Sequence, residues 1–159
     1  MVERQDDIDR FLSLAICYNR SVKVIEKHYF QVINALHFCA VFCQQDSCVK
    51  IKFLLLYRKH HTNVINFIQN LRNILNEVSV DMVLCGFNVN YFSDKDSAEL
   101  KSRLEESLDF QQVMKKPTFI STSVLDHVYV KLGKFKNVST TIISVYYSDH
   151  DIVRISFQF

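Results

Sequence analysis

Three short segments of this chain place polar, chemically capable side chains where an apolar strand ends or begins. They are residues 83–88 (Val-Leu-Cys-Gly-Phe-Asn), 125–130 (Leu-Asp-His-Val-Tyr-Val) and 148–151 (Ser-Asp-His-Asp). Hydrolysis of a phosphodiester needs a cation that polarises the phosphoryl oxygens, a group that orients water and a donor to the developing charge. The segments therefore supply the residue types that a sheet-based phosphodiesterase uses at the ends of its strands.

The elements that must position these segments are mostly strands. The predicted strands are residues 8–20 (with a helix as the alternative), 31–43, 49–57, 82–87, 124–130, 140–147 and 152–159. The polar residues 44–47 predict a turn between the second and third of these strands, which are expected to form an antiparallel hairpin. The continuously apolar strand 82–87 is typical of a central position with both faces covered.

Two segments predict helices on the outside of this sheet. The first begins at Thr62 or Asn63 and runs to about Val78, with its apolar residues on one face. The second runs from Ser97, its expected N-cap, to Leu108. Strands with interleaved helices and hairpins at both ends predict an α+β fold, a layered β-sandwich flanked by helices, formed by one domain over residues 1–159.

Composition narrows the class of protein. The 159 residues are 48% apolar, enough for a sizeable core, and the net charge of +2 permits a nucleic-acid partner without arguing for one. We see no secretory signal and no apolar run of about 18 residues, so no membrane partner is expected. Five cysteines without a disulfide-like spacing indicate a reducing, intracellular location, nuclear or cytoplasmic. The spacing of Cys39, Cys43 and Cys48 with His37 fits no standard zinc site.

Further motifs connect the three segments to a known family. Residues 54–58 (Leu-Leu-Leu-Tyr-Arg), 116–119 (Lys-Pro-Thr-Phe) and 145–151 (Val-Tyr-Tyr-Ser-Asp-His-Asp) stand in a fixed order with them. This order resembles the endonuclease/exonuclease/phosphatase superfamily, and most closely its nuclease-like domains in mobile elements, beside reverse transcriptases or helicases. The resemblance covers roughly residues 50–159. The family's upstream asparagine and glutamate are not apparent, which implies an N-terminally truncated or degenerate domain.

The resemblance implies a role for five residues. Asp149 would help to hold Mg²⁺ or Mn²⁺, and His150 would contact the scissile phosphate or transfer a proton. Asp126 would orient the His150 imidazole, and Asn88 and Tyr57 would donate hydrogen bonds to the phosphate. The implied partner is nucleic acid, with DNA favoured over RNA.

One position departs from the family pattern. Gly86 stands where the Gly-Asp-Phe-Asn motif has its aspartate, and Cys85 takes the place of the leading glycine. A glycine cannot orient water or stabilise charge, so impaired or lost phosphodiesterase activity is expected. The alternative is a catalytically inactive module that binds nucleic acid, or that binds a protein through a sheet edge exposed by missing strands.

Each candidate residue also has a purely structural interpretation. Residues 149–151 and 88–90 fit polar turns, and Tyr57 fits a strand end. Residues 58–61 (Arg-Lys-His-His) fit a solvated basic patch, and His127 should point away from Asp126 and is interpreted as structural. Asp126 is the hardest to explain this way, because a buried carboxylate needs a partner. We therefore predict a hydrogen bond between Asp126 and His150, at the end of the sandwich where all five residues should converge.

Overall fold

The computed structural model describes residues 2–6, 13–17, 20, 22–30, 35–44, 47–120 and 122–158. The strands are β1 (Val2–Asp6), β2 (Ser13–Cys17), β3 (Lys23–Phe30), β4 (Ala35–Gln44), β5 (Ser47–Tyr57), β6 (Met82–Gly86), β7 (Gln111–Gln112), β8 (Asp126–Val130), β9 (Lys136–Ile143) and β10 (Ile152–Gln158). The helices are α1 (Val64–Glu77), α2 (Asp94–Leu100), a π-helical turn (Lys101–Glu106) and a 3₁₀ turn (Leu132–Lys134).

A six-stranded mixed sheet in the order β3-β4-β5-β6-β8-β7 forms the central layer. β4 and β5 are the predicted antiparallel hairpin, whereas β5 and β6 are parallel and are connected through α1. Parallel neighbouring strands need such a crossover, because the end of the first strand and the start of the second lie at opposite ends of the sheet. β6 lies between β5 and β8, and its residues Met82 and Val83 are buried, which confirms the predicted central strand.

Helix α1 covers one face of this sheet. Asn63 is its N-cap, and the side chain of Asn63 accepts a hydrogen bond from the backbone N–H of Asn66 (3.2 Å). One stripe of the helix is buried and packs in the same core cluster as apolar residues of β5 and β6; it consists of Phe67, Ile68, Leu71 and Ile74. The predicted amphipathic helix is therefore confirmed, including its start.

The antiparallel pair β9–β10 covers a second core cluster, which includes Ile51, Met82 and Val128 of the central sheet. Alternate apolar side chains of the pair pack against this cluster; they are Val138, Ile142, Val153, Ile155 and Phe157. β1 and β2 form a separate antiparallel pair. The arrangement is α+β, as predicted.

The predicted strand 8–20 is a strand at residues 13–17, and residues 8–12, 18 and 19 lie outside the described residues.

The second predicted helix begins earlier than expected. α2 starts at Asp94 with Ser93 at the N-cap, and Ser97 is buried inside the helix, so its assignment as the cap is wrong. The Ser97 hydroxyl lies 2.7 Å from the carbonyl oxygen of Ser93 and 3.0 Å from that of Tyr91. A serine satisfied by the preceding turn can lie within a helix, so the residue type alone does not mark a helix start.

The strand predicted at residues 140–147 is displaced along the chain. β9 spans Lys136–Ile143, because its partner β10 starts at Ile152, which pairs with Ile143. Residues 144–147 have high β propensity but lie beyond this register, and they form the start of a loop instead. No helix in the described part of the chain is both long and apolar enough to cross a membrane.

Candidate active site

A tyrosine, a glycine and an aspartate form a row across the central sheet. Tyr57 at the end of β5 pairs with Gly86 at the end of β6, and Gly86 pairs with Asp126 at the start of β8. A Cβ atom built on Gly86 would lie 3.2 Å from Cδ2 of Tyr57 and 3.6 Å from Oδ1 of Asp126. The ring and the carboxylate therefore flank the glycine on the same face of the sheet.

Asp126 continues this row to a histidine from the last loop. Nδ1 of His150 lies 2.7 Å from Oδ2 of Asp126, so the predicted hydrogen bond is confirmed. The side chains of Asp126 and His150 are 29% and 36% exposed, so the pair is accessible from solvent. A carboxylate at Nδ1 fixes the tautomer with the proton there and leaves the Nε2 lone pair for chemistry. The His150 ring also packs edge-on against Phe119, with 5.0 Å between ring centroids.

Thr118 holds the loop of His150 beside the start of β8. Its hydroxyl oxygen accepts from the backbone N–H of Asp126 (3.1 Å), and its carbonyl accepts from the N–H of Asp151 (2.9 Å). The N–H of Ile120 donates to the carbonyl of Asp149 (3.2 Å). Thr118 is fully buried and so positions both members of the Asp126–His150 pair. The Lys-Pro-Thr-Phe motif at residues 116–119 pointed to the family but implied no role for this threonine.

Arg58 is buried rather than part of a solvated basic patch, so that interpretation is wrong for it. Only 5% of the residue is exposed, and its guanidinium donates to the carbonyl oxygens of Phe87, Thr62 and Asn88, the last at 2.9 Å. Burial lowers the pKa of this group, but an arginine stays charged at neutral pH. Arg58 thus ties together the loops that follow β5 and β6, and its donors are directed to backbone rather than to a ligand.

Asn88 is held by the same network. Its Nδ2 donates to the carbonyl of Arg58 (2.6 Å), and its backbone takes a positive φ of 53°, which asparagine tolerates better than most residues. The amide nitrogen is therefore directed to the backbone, and the predicted contact of Asn88 with a phosphate stays a prediction. Asp149 is exposed and precedes His150 directly in the chain.

A cleft of about 620 Å³ with a mixed polar and apolar lining opens beside these loops. It is lined by residues of the loop after β5, the loop after β6 and helix α2, including Arg58, His60, Thr62, Asn63, Asn88, Asn90, Lys95 and Glu99. Asn88, which lines the cleft, lies two residues after Gly86 at the end of β6. The cleft is therefore close to the row formed by Tyr57, Gly86 and Asp126.

His127 has the structural environment that its position in β8 predicts. The residue is 1% exposed, and its Nε2 lies 2.9 Å from the carbonyl oxygen of Val89, while Nδ1 lies 3.3 Å from the Tyr129 hydroxyl. A carbonyl partner requires the proton on Nε2, so Nδ1 accepts from the tyrosine. Burial lowers the pKa of His127 from its ordinary value of 6.5 to about 4, against the opposing effect of the backbone carbonyls. The ring is therefore neutral at pH 7.

The described residues do not fit a dedicated metal site. No three histidine, cysteine, aspartate or glutamate side chains within them are close enough together to hold an ion. Oδ2 of Asp126 is hydrogen-bonded to His150, and Glu26 lies on β3 with its carboxylate 3.1 Å from Nε2 of His28. Mg²⁺ is usually bound by one or two carboxylates together with water and phosphate oxygens, and Asp149 offers one.

The fold of this chain is similar to that of solved endonuclease/exonuclease/phosphatase proteins. The endonuclease domain of TRAS1, a telomere-specific non-LTR retrotransposon, superposes with a TM-score of 0.72 at 12% identity, covering 99% of this chain and 78% of that one. An endonuclease/exonuclease/phosphatase family protein from Bacteroides thetaiotaomicron gives 0.61 at 16% identity, covering 90% and 68%. The catalytic domain of human Nocturnin gives 0.55 at 14% identity, covering 92% and 63%.

These likenesses confirm the fold that the sequence motifs predicted. At 12–16% identity they show architecture alone, and they leave the roles of individual residues open. Comparison with protein-family models and with curated protein sequences gives no match. The solved structures therefore establish the fold, and none of the comparisons assigns a chemical role to a side chain of this chain.

Proposed function

We propose that this domain binds nucleic acid, DNA in preference to RNA, at the Asp126–His150 pair and has impaired or lost phosphodiesterase activity. The observation that carries this proposal is the intact 2.7 Å hydrogen bond beside a glycine that offers no carboxylate. The nuclease-like neighbours support a nucleic-acid partner, and the TRAS1 endonuclease domain supports an origin in a mobile element.

The His150 imidazole is the group proposed to contact the phosphate. Its Nδ1–H donates to Asp126, so the carboxylate fixes the orientation of the ring. Nε2 is the ring atom proposed to meet the phosphate, and a proton between Nε2 and a phosphoryl oxygen makes a charge-assisted hydrogen bond. Tyr57 lies across Gly86 from Asp126 and is the proposed donor to a second oxygen of the same phosphate. Asn88 is proposed to make a further contact with this phosphate.

The chemical step is where the site is deficient. Gly86 provides no carboxylate to orient the attacking water next to the Asp126–His150 pair. A divalent ion would polarise the phosphoryl oxygens when bound. Asp149 is proposed as its ligand from this part of the chain, and one exposed carboxylate holds Mg²⁺ or Mn²⁺ weakly without further ligands. Binding without efficient cleavage follows from this combination.

His150→Ala is expected to weaken DNA binding by about 10- to 150-fold, which corresponds to the loss of one hydrogen bond to a charged group. Binding is measured by fluorescence anisotropy with a labelled DNA, and the affinity of the unmodified protein should fall as salt rises. His61→Ala, which removes an exposed imidazole from the loop after β5, is the matched control and should leave affinity unchanged. Plasmid nicking in Mg²⁺ or Mn²⁺ should be weak or absent.

Two outcomes would contradict this proposal. Equal affinities of the unmodified protein and His150→Ala would remove the pair from the binding site. Robust plasmid cleavage that His150→Ala abolishes would show that another group replaces the missing carboxylate. Binding to neither DNA nor RNA would favour the alternative, a protein partner that adds a strand to the two-stranded β9–β10 sheet, where Ile143 and Ile152 are 44% and 46% exposed.

Gly86→Asp restores a carboxylate at position 86 and so tests whether its absence limits activity. Gly86→Asn, which has a similar shape without the charge, is the matched control. Both side chains must displace the Tyr57 ring slightly, because the new Cβ lies 3.2 Å from it. The aspartate also places a second carboxylate beside Asp126, and like charges this close repel. We expect Gly86→Asp to be less stable than Gly86→Asn in urea denaturation by about 1 kcal/mol without divalent ions. Added Mg²⁺ should narrow this difference, and only the aspartate should gain nicking activity.

The pair of variants also separates two defects. If Gly86→Asp gains no activity although Mg²⁺ narrows the stability difference, the missing upstream metal ligand is the larger defect. Identical stability and activity of the aspartate and asparagine variants would contradict the position assigned to residue 86 beside Asp126.

A further inference from the structure

Two adjacent tyrosines stand in solvent next to the candidate site. Tyr146 is 100% exposed and Tyr147 is 72% exposed, and their ring centroids are 5.4 Å apart at an interplanar angle of 84°. Aromatic side chains usually contribute to a core or an interface, because each buries a large apolar area. Nothing in the packing of the described residues uses these two rings, so a ligand or partner is the natural explanation for them.

The tyrosines belong to the loop that carries His150. The loop runs from the end of β9 to the start of β10, and its residues 149–151 are fixed to the Thr118–Ile120 turn by two backbone hydrogen bonds and the Phe119–His150 bridge. Tyr146 is four positions before His150 in the chain, so their backbones lie within about 14 Å of each other. Ile120, 78% exposed, lies on the same turn and adds apolar surface at this rim of the site.

We propose that Tyr146 and Tyr147 form a base-stacking platform for an unpaired nucleotide of a strand whose phosphate lies at the Asp126–His150 pair. Every base has an apolar π-face, and exposed aromatic rings bind such faces without sequence preference. Bases inside a continuous duplex are already stacked and cannot reach a protein ring. The domain should therefore prefer single-stranded or locally unpaired nucleic acid to continuous duplex, an inference that rests on the proposed function.

The surroundings favour a base over an apolar protein surface. The rings meet edge to face, so each keeps a π-face open, whereas a protein-binding patch is expected to be broad and continuous. Polar residues adjoin the platform on the side of the site, since Ser148 accepts from the N–H of His150 (3.1 Å) and Asp149 follows. The exposed Lys116 precedes the Thr118 turn and adds a cation for the strand's backbone.

The test compares Tyr146→Ala/Tyr147→Ala with Tyr146→Phe/Tyr147→Phe, which keeps both rings. Anisotropy is measured with a labelled single strand, a strand of the same length that carries abasic sites, and a continuous duplex. The alanine pair should weaken single-strand binding by about 5- to 150-fold for each stacked base, and the phenylalanine pair should not. Neither pair should change binding to the duplex or the abasic strand. Because both side chains are exposed, thermal melting should be unchanged.

Three results would overturn the inference. The first is equal weakening of single-strand and duplex binding by the alanine pair. The second is no weakening at all while His150→Ala still weakens binding, which would leave the proposed function standing and remove only the platform. The third is a shift in sedimentation caused by the alanine pair, which would identify the tyrosines as a contact between two copies of this chain. Failure of the unmodified protein to bind any nucleic acid would instead reject the proposed function itself.

Discussion

Replacing Arg58 by alanine is expected to lower the free energy of unfolding by about 3 to 5 kcal/mol. The guanidinium donates to the carbonyls of Phe87, Thr62 and Asn88, and the side chain is almost fully buried. Alanine would leave these carbonyl oxygens without their donor inside the protein, where an unsatisfied polar group costs free energy. The loss is measured by urea denaturation at pH 7.

Two further variants separate geometry from charge in this prediction. Arg58→Lys keeps the positive charge but lacks the planar fork that reaches several carbonyls, so its stability should fall between those of Arg58→Ala and the unmodified protein. Arg72→Ala removes an exposed arginine from the middle of α1 and should change stability by no more than about 0.5 kcal/mol. An effect of Arg58→Ala as small as that of Arg72→Ala would mean that the two loops do not depend on this residue.

Acid should destabilise the protein through His127 by about 3 kcal/mol between pH 7 and pH 4. The pKa of this ring is lowered from 6.5 to about 4 by burial, so the unfolded chain binds a proton at pH values where the folded chain does not. The stabilisation is therefore complete above pH 6.5 and is lost as the pH falls towards 4. The measurement is the free energy of unfolding in urea across this range.

Carboxylates also respond to acid, so the prediction is made as a difference from His127→Gln. Glutamine retains an N–H donor for the carbonyl of Val89 but does not titrate. This variant should be less stable than the unmodified protein at pH 7. On going to pH 4, the free energy of unfolding of the unmodified protein should fall by about 3 kcal/mol more than that of the variant. If the difference in free energy of unfolding between the two proteins stays constant with pH, His127 is accessible to protons in the folded state.

Local patterns predicted the parts of the site that follow from residue type and strand ends. Asp126 begins an apolar strand and His150 lies in a polar turn, and the desolvation of a lone carboxylate was reason enough to pair them. The sequence also predicted that Tyr57 and Asp126 lie at the same end of the sandwich, but the row through Gly86 follows only from the strand pairing in the structure. The fold class followed from the same alternation of strands and helices.

The residues that sequence analysis misjudged depend on contacts that no local pattern encodes. Arg58 reads as a solvated cation because it starts a run of basic residues, and only the return of the chain at Phe87 and Asn88 shows that it is enclosed. Thr118 follows a proline and has the pattern of a turn residue, and only its hydrogen bonds to the backbone of Asp126 and Asp151 show that it positions the site. Tyr146 and Tyr147 have the composition of a strand, but the register of β9 against β10 leaves them without a partner strand. Long-range pairing decided each of these cases.

The spacing of these contacts along the chain also sets the order of events during synthesis on the ribosome. Arg58 meets Asn88 30 residues later, and Asp126 meets His150 24 residues later. A nascent chain that has emerged as far as β8 can already assemble the central sheet, yet Asp126 has no imidazole and the face with Ile51 and Val128 has no cover until β9 and β10 follow. During that interval the chain exposes apolar surface of the kind that chaperones bind, and the Asp126–His150 pair, the proposed phosphate site, is completed only in the last stage of folding.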